Sequence, residues 1–286
     1  MKKIIYFLEF ILVYKFFIIF KIIGYRASSN LGYLIGKFFG TFFRSKLLIN
    51  ANLKKAKILN NENTDKIADS ILGNYGRIFA EYPHLKNFRN NKLDNFIKIE
   101  GIEYLDQIKK ANKKAVFISG HFNNFELMAM QIEKAGIDLA AIYRPLNNIF
   151  LNKVMVRIRK NYICKKQIKK GRAGTREIIK NLKKGSSIAI MIDQRVSQGT
   201  KINFFGNMAT TTTIPAQLIK KYDCELVPIY IERYNNYYFK MYISKPIQID
   251  KDKSAEEITL FLNSILEKMI LKNTDQWIWS HDRWRK

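Results

Sequence analysis

Short apolar runs alternate with amphipathic helical runs over most of the second half of the chain. The β-rich apolar runs predict strands over residues 115–119, 139–143, 187–192, 225–233 and 237–244. Helical periodicity predicts helices over residues 124–135, 148–162, 174–184, 214–222 and 255–272. This alternation predicts an α/β domain with a largely parallel sheet flanked by helices, whose functional sites lie at the carboxyl ends of the strands.

The first 24 residues are apolar, but Glu9, Lys15 and Lys21 interrupt them. At about 100° per residue these charges ring the helix instead of forming one polar stripe. A membrane span requires about 20 apolar residues, so an ordinary transmembrane helix is disfavoured. A cleaved signal peptide is disfavoured as well, because charge breaks the apolar region and no small-residue cleavage site follows. We therefore predict a retained helical segment that associates with a membrane.

A second apolar stretch, residues 31–43, contains three glycines and is followed by Arg44 and Lys46. We interpret it as a second membrane-contacting element whose basic residues face anionic headgroups. The alternative is a buried helix that packs on the main domain. The predicted organisation is an N-terminal membrane anchor or pair of interfacial helices over residues 1–45, followed by a catalytic domain over residues 46–286.

The chain carries 50 Lys and Arg against 24 Asp and Glu, a formal net charge of +26. Such a charge favours anionic partners, namely nucleic acid, acidic lipid headgroups or an acidic carrier protein. Compositional drift towards Lys, Ile and Asn is the alternative explanation. Cys164 and Cys224 are far apart in the sequence and indicate neither a disulfide framework nor a zinc site. No metal or redox cofactor is predicted.

The strongest chemical signal is the octapeptide Ser119–Glu126, which directly follows a predicted strand. The chain has three histidines, so the choice of a catalytic base is narrow. His84 lies in a connector that contains a proline, and His281 precedes an aspartate that points to the other face of an extended chain. Only His121 has a carboxylate, Glu126, placed to serve it.

His121 and Glu126 can meet only across a turn, because five residues along a helix separate two side chains by about 140°. Gly120 permits such a turn, and Asn123 or Asn124 is expected to cap the helix that follows. Glu126 then occupies the first helical turn, where the helix dipole favours a carboxylate. We predict that His121 is a general base and that Glu126 orients it. The alternative is a capping asparagine beside a surface histidine.

Five blocks of sequence, taken in order, resemble the lipid A late acyltransferases of the lysophospholipid acyltransferase superfamily. They are 121–126 (HFNNFE), 143–148 (YRPLNN), 193–213 with DQ, FFG and TTTT, 226–228 (LVP) and 276–284 (QWIWSHDRW). The chain departs from the usual pattern at Phe125, Ile214 and Thr274, none of which removes the acid/base pair. The fold implied is that of a glycerolipid acyltransferase.

The resemblance implies a membrane-bound enzyme on the cytoplasmic face of the bacterial inner membrane. It implies transfer of a fatty-acyl chain from acyl carrier protein, or from acyl coenzyme A, to a hydroxyl of an anionic Kdo-lipid A precursor. The residues themselves indicate direct attack without an acyl-enzyme, because no GxSxG elbow or paired catalytic Cys supplies a nucleophile. Other acceptors remain open: a lysophospholipid, an ornithine lipid or a glycolipid.

The remaining site predictions follow the matched blocks. Arg144 is placed after a predicted strand to bind a phosphate or to polarise the thioester carbonyl, unless it is a surface arginine in a turn. Asp193 is expected to bind the acceptor sugar or to hold Arg195, unless it caps a loop. The predicted substrate-binding residues are Asn123, Asn124, Tyr143, Arg172, Asp193, Gln194 and Arg195.

The closing block places Trp277, Trp279, His281 and Arg283 at every second position, a strand-like pattern in which we expect the last two to play a supporting role. A nucleic-acid-binding protein is the competing class, on the grounds of the basic charge and interleaved tyrosines. No RNA- or DNA-binding motif supports that class, and we expect no nucleic-acid partner.

Overall fold

A computed structural model describes residues 2–58 and 64–285, and a seven-stranded sheet forms its centre. The strands are β1 (Ile97–Glu100), β2 (Ala115–Ser119), β3 (Leu139–Tyr143), β4 (Lys166–Lys169), β5 (Ser187–Met191), β6 (Thr200–Phe204), β7 (Asn207–Thr211), β8 (Glu225–Tyr234) and β9 (Tyr238–Ile243). The order across the sheet is β1-β9-β8-β2-β5-β3-β4. β8 and β9 are antiparallel and every other pairing is parallel, while β6 and β7 form a separate antiparallel hairpin.

Helices flank this sheet and precede it. They are α1 (Lys2–Ile23), α2 (Tyr25–Phe39), α3 (Lys46–Lys55), α4 (Thr64–Glu81), α5 (Leu85–Arg89), α6 (Ile102–Lys110), α7 (Glu126–Lys134), α8 (Ile149–Ile158), α9 (Arg172–Lys183), α10 (Ile214–Tyr222) and α11 (Ala255–Lys272). A π-helical turn, Arg159–Ile163, continues α8. The α/β class and the largely parallel sheet predicted from the sequence are confirmed.

The predicted central strands agree closely with the structure because each contains a continuous apolar run. β2, for example, is buried at all of its five positions. The sequence did not reveal β4, an edge strand whose residues KQIK include only one apolar side chain, Ile168. It also did not reveal the β6–β7 hairpin, whose turn at Phe205 and Gly206 adopts positive φ angles.

The closing segment is not the strand that its period-two pattern predicted. A 3₁₀ turn over Thr274–Gln276 leads into irregular chain, and the one strand-like contact there is an isolated bridge between Phe122 and Trp277. The segment is held by buried side chains instead of a ladder. Arg283, which is fully buried, donates to the Thr210 carbonyl at 2.9 Å and to the Thr211 hydroxyl at 2.6 Å.

The first helices pack against the rest of the chain along one side. Within the described ranges, no helix has both the length and the apolar character that crossing a bilayer demands. α2 buries a stripe of small residues, among them Gly32 and Gly36, against Gly76 of α4. A Cβ atom added at Gly76 would lie 1.9 Å from the Gly32 carbonyl oxygen. Part of the stretch 31–43 is therefore a packed helix, as the alternative interpretation expected, while other side chains of the same stretch are exposed.

Replacing Gly76 with Ala tests this close contact between α2 and α4. The added methyl group forces two backbones apart, so we expect a loss of about 1–3 kcal/mol in the free energy of unfolding. Chemical denaturation in mild detergent measures it. Lys37→Ala, at an exposed position of α2, is the control and should change stability little. An unaltered stability of Gly76→Ala would mean that the helices are not in contact there.

Candidate active site

The site lies where two neighbouring parallel strands end. β2 pairs with β5 so that Ser119 lies opposite Met191. The pairing continues one residue further, because the Ile192 backbone N–H donates to the Ser119 carbonyl at 2.9 Å. His121 and Asp193 each follow two residues after these paired strand ends. The carboxyl ends of the strands therefore bring the imidazole and a carboxylate together.

His121 is bound by Asp193. Its Nδ1 lies 2.8 Å from Asp193 Oδ1, and its backbone N–H donates to Oδ2 at 2.7 Å. The indole N–H of Trp277 donates to the same Oδ2 at 2.9 Å. Asp193 has no exposed side-chain surface, whereas the His121 side chain is 20% exposed. Burial acts to raise the pKa of Asp193, but the charge of His121 and the hydrogen bonds from His121 and Trp277 lower it below its ordinary value.

Gly120 lets the turn after β2 pass close to Asp193. A Cβ atom there would lie 2.9 Å from a Leu266 methyl carbon, 3.0 Å from the Phe122 ring and 3.3 Å from Asp193 Oδ2. The turn after β2 therefore passes against Asp193 with no room for a side chain. A carboxylate on Nδ1 fixes that nitrogen as the protonated one, so Nε2 is the nitrogen that can accept a proton. The described residues make no hydrogen bond to Nε2.

Glu126 makes no hydrogen bond to His121 within the part of the chain that the structure describes, so the prediction that Glu126 orients His121 is wrong. Its Oε1 accepts from Nε and Nη2 of Arg159, at 2.8 and 2.7 Å, and from the Tyr82 hydroxyl. Glu126 is the first residue of α7 and its side chain is 8% exposed. A carboxylate this buried requires a cation, which Arg159 of the π turn supplies.

Asn123 and Asn124 hold the turn and do not cap the helix as predicted. The N-cap of α7 is Phe125, which makes no side-chain capping bond. Asn123 adopts a positive φ of 42°, and its amide donates to Gln276 Oε1 at 2.7 Å. Asn124 is fully buried and donates to Glu81 at 3.1 Å. Both amides are thus bonded to protein groups, and Asn124, which has no exposed surface, is not placed to contact a substrate.

A second buried ion pair, Arg233 with Glu81, lies next to Asn124 of the turn after β2. Arg233 binds both oxygens of Glu81, at 2.6 and 3.0 Å, with side chains 4% and 0% exposed. Ser29 of α2 also donates to Glu81, at 2.7 Å. Glu81 therefore connects α2, α4, β8 and the Asn124 amide. Sequence reasoning missed Glu81, Arg233, Arg159 and Tyr82. For the three charged residues the available signal was a charge at or near the end of a helix or strand.

The other predicted site residues are placed around this centre. Tyr143 is half-buried, and its ring centroid lies 5.9 Å from the Arg159 guanidinium carbon. Arg144 and Arg172 are exposed, and Gln194 is half-buried. The Arg195 backbone N–H donates to Nε2 of His281 at 2.9 Å. Asp193 is too deeply buried to bind an acceptor sugar, because its oxygens serve His121 and Trp277.

A narrow pocket beside His121 is lined by side chains of α4 and of the closing segment. The lining residues are Ile71, Asn74, Tyr75, Ile78, His121, Asn123, Asp275, Gln276, Trp277 and Ile278. Its volume of about 10 Å³ holds one water molecule at most. Entry of a longer apolar group from this side requires these side chains to move. Within residues 2–58 and 64–285 no cluster of His, Cys, Asp and Glu has the form of a metal site.

The dependence of the free energy of unfolding on acidic pH tests the environment of His281. Burial is the main cause that lowers its pKa from 6.5 to about 4. The unfolded chain therefore takes up a proton in that window while the folded chain does not, so stability falls as the pH is lowered through it. His281→Gln keeps an acceptor for Arg195 but cannot titrate. We expect the stability of the native protein to fall more steeply than that of the variant in denaturation series; parallel profiles would contradict the burial of a neutral imidazole.

Comparison with known proteins agrees with the motif blocks. The whole chain, residues 1–286, matches the family described as bacterial lipid A biosynthesis acyltransferase. The chain is 24% identical over 207 residues to the lipid A biosynthesis palmitoleoyltransferase of Escherichia coli (strain K12) and, equally, to the lipid A biosynthesis acyltransferase of Shigella flexneri. Each match covers 68% of this chain and 64% of the relative, so it spans less than two thirds of the relatives' length. The chain belongs to the bacterial lipid A biosynthesis acyltransferase family.

Proposed function

We propose that this protein transfers a fatty-acyl chain from acyl carrier protein to a hydroxyl of a Kdo-lipid A precursor, at the cytoplasmic face of the inner membrane. The acceptor is the 3-hydroxyl of an existing acyl chain, so the product is an acyloxyacyl ester. Family membership supports the reaction and the lipid. The single observation that carries the chemistry is the buried Asp193 carboxylate on Nδ1 of a partly exposed His121.

The proposed reaction is one acyl transfer without a covalent enzyme intermediate. Nε2 of His121 takes the proton of the acceptor hydroxyl as the oxygen attacks the thioester carbonyl. A carbon–oxygen bond forms, the carbon–sulfur bond breaks, and the proton on His121 passes to the departing thiolate. Asp193 holds Nδ1–H and stabilises the imidazolium that exists between the two proton transfers, as the carboxylate does in other His-containing catalytic sites.

Glu126 and Arg144 have different roles in this proposal. Glu126 positions Arg159, whose guanidinium lies over Tyr143 at the end of β3. Glu126 therefore contributes to substrate binding, through Arg159 and Tyr143, and does not orient the imidazole. Arg144, the next residue after Tyr143, is exposed and is proposed to bind phosphate or the thioester oxygen. The acyl chains are accommodated by movement of the side chains that line the narrow pocket, among which Ile71, Ile78 and Ile278 are apolar.

Attachment to the membrane is proposed to use exposed apolar side chains of the N-terminal helices. Phe42, Phe43 and Leu47 are 82%, 82% and 83% exposed, and Phe38 and Ile22 are 66% and 77% exposed. So much exposed apolar surface indicates contact with lipid or with a partner. Lys37, Arg44 and Lys46 are interleaved with these residues in the sequence, and lysines or arginines beside an apolar surface favour anionic headgroups. α1 itself is tied to the main domain, because Asn148 donates to Glu9 at 2.9 Å.

A transfer assay with purified protein tests the function. We expect acylation of a Kdo-lipid A precursor from acyl carrier protein thioester, and weaker or no transfer to a lysophospholipid, an ornithine lipid or a glycolipid offered in parallel. Asp193→Asn should lower kcat by about 10²–10⁴-fold with little change in KM, and His121→Ala by at least as much, because each removes the acid/base step. Preferential use of another lipid would reassign the acceptor, and near-normal rates in either variant would contradict the mechanism.

Glu126→Gln is the matched variant in the same assay, since it too neutralises a buried carboxylate. Arg159 then loses its charged partner, so we expect the free energy of unfolding to fall by about 1–3 kcal/mol. Its kcat should fall less than that of Asp193→Asn, with a larger effect on KM. A kcat loss equal to that of Asp193→Asn at unchanged KM would return Glu126 to the role of orienting the base.

Vesicle binding tests the membrane proposal. Phe42→Ser with Phe43→Ser should weaken binding to phosphatidylglycerol-containing vesicles by about tenfold or more, because two large apolar side chains no longer enter the interface. Leu260→Ser with Phe261→Ser is the control, since these residues of α11 are also exposed, at 48% and 42%. Equal losses in the two double variants, measured by flotation, would show that general surface hydrophobicity is responsible.

A further inference from the structure

Positive charge is concentrated in one part of the sequence, residues 165–184, here named the basic segment. Nine of its twenty residues are Lys or Arg, and Glu177 is its one acidic residue. The segment comprises β4, at the edge of the sheet, and α9, which follows it. Its exposed cations are Lys165, Lys169, Lys170, Arg172, Arg176, Lys180, Lys183 and Lys184.

These cations are not used to stabilise the fold. Of the ion pairs among the described residues, one involves the basic segment, and it joins Lys166 to Asp138. Arg172, Arg176 and Lys180 are spaced four residues apart on α9, so they lie along one side of the helix with a drift of about 40° per step. Like charges at this spacing repel each other and destabilise a helix. Glu177 is the one acidic residue beside this row, and none of the three cations forms an ion pair with a described residue. Such a row is typical of a surface that binds an anionic partner.

The row begins at the edge of the active site. Lys170, the residue before Gly171 and α9, donates its backbone N–H to the Tyr143 carbonyl at 2.8 Å. The environment of its side chain agrees with this position. Lys170 is exposed as a whole residue, but partial burial of its ammonium group lowers its pKa. The charge of Arg144 lowers that pKa further, and the charge of Asp193 raises it. The basic segment thus begins near Arg144, beside the proposed site of transfer, and continues outward along α9.

An acidic protein fits this surface better than a bilayer does. The exposed large apolar side chains of the described residues include none from the basic segment, whereas α1, α2 and the chain after them carry many. An element that enters a lipid interface interleaves apolar and basic side chains. The exposed side of α9 is instead almost wholly charged, and an open depression along it is lined by Ala173, Arg176, Glu177, Lys180, Asn181 and Lys184.

We propose that the row Arg172, Arg176 and Lys180 on α9 is the docking surface for the acidic acyl carrier protein, whose thioester arm then passes Lys170 and Arg144 to reach His121. The proposal rests on the proposed function, which names that donor. Charge complementarity at such a surface acts mainly on the rate of encounter and on the choice of partner. The phosphate of the arm is the group that Lys170 and Arg144 would meet.

The test compares two donors that carry the same acyl chain, the carrier protein thioester and the coenzyme A thioester. Arg176→Glu with Lys180→Glu should lower kcat/KM for the carrier at least about tenfold and leave kcat/KM for coenzyme A within about twofold, because the small donor does not need α9. The dissociation constant of the carrier, measured directly by fluorescence anisotropy, should rise by a similar factor. Added salt should weaken the carrier reaction of the native protein more than that of the variant.

Lys109→Glu with Lys110→Glu is the control, since it reverses two exposed charges on α6 and should affect neither donor. The proposal is overturned if the charge reversal on α9 leaves carrier binding unchanged, or if it lowers kcat/KM equally for the two donors. Loss of vesicle binding with unaltered carrier binding would assign the surface to the membrane instead. A native protein that acylates from coenzyme A but never binds the carrier also overturns it, whereas transfer from neither thioester would refute the proposed function itself.

Discussion

The site depends on one constraint, the parallel register of β2 and β5. Because Ser119 lies opposite Met191, equal steps beyond the two strands bring His121 and Asp193 within 2.8 Å. A carboxylate with no exposed surface is costly to bury unless hydrogen bonds satisfy it. Here the Trp277 indole, the His121 amide and the imidazole all serve Asp193. The same interactions that keep Asp193 ionised therefore also fix the orientation of the imidazole.

Two further buried ion pairs fix the turn that carries His121. The first pair, Glu81 with Arg233, is joined to the turn by the hydrogen bond from Asn124 to Glu81. The second pair joins Arg159 to Glu126, the first residue of the helix that follows the turn. Buried ion pairs add little net stability, since desolvation opposes their attraction. Their geometric effect is larger, because each holds elements that are distant in the sequence in a single arrangement. Glu81 in particular joins the N-terminal helices to the catalytic turn, so packing of α2 and the position of His121 are coupled.

The sequence predicted the class of fold and the central strands, because these depend on local apolar runs. It also singled out His121 because histidine is scarce, and the role of His121 as the base stays a prediction. It paired His121 with Glu126, the nearest suitable carboxylate along the chain. The actual partner, Asp193, is 72 residues away, and its proximity follows from the order of strands, which local pattern does not specify. Edge strand β4 was missed for the opposite reason: Ile168 is its one apolar residue, so its local pattern is too weak to indicate a strand.

The distribution of surface residues is consistent with an enzyme that meets a lipid and a soluble protein at the same time. Most of the large exposed apolar side chains belong to α1, α2 and the residues directly after them, whereas the exposed surface of α9 is charged. A lipid acceptor is held by apolar contact, which is short in range, while an acidic carrier is attracted over about a Debye length. Under the proposed reaction, these separate surfaces let the lipid acceptor and the carrier protein bind without competing. The strand ends then become the place where they meet, because His121 follows β2 and Arg144 follows β3 at the same edge of the sheet.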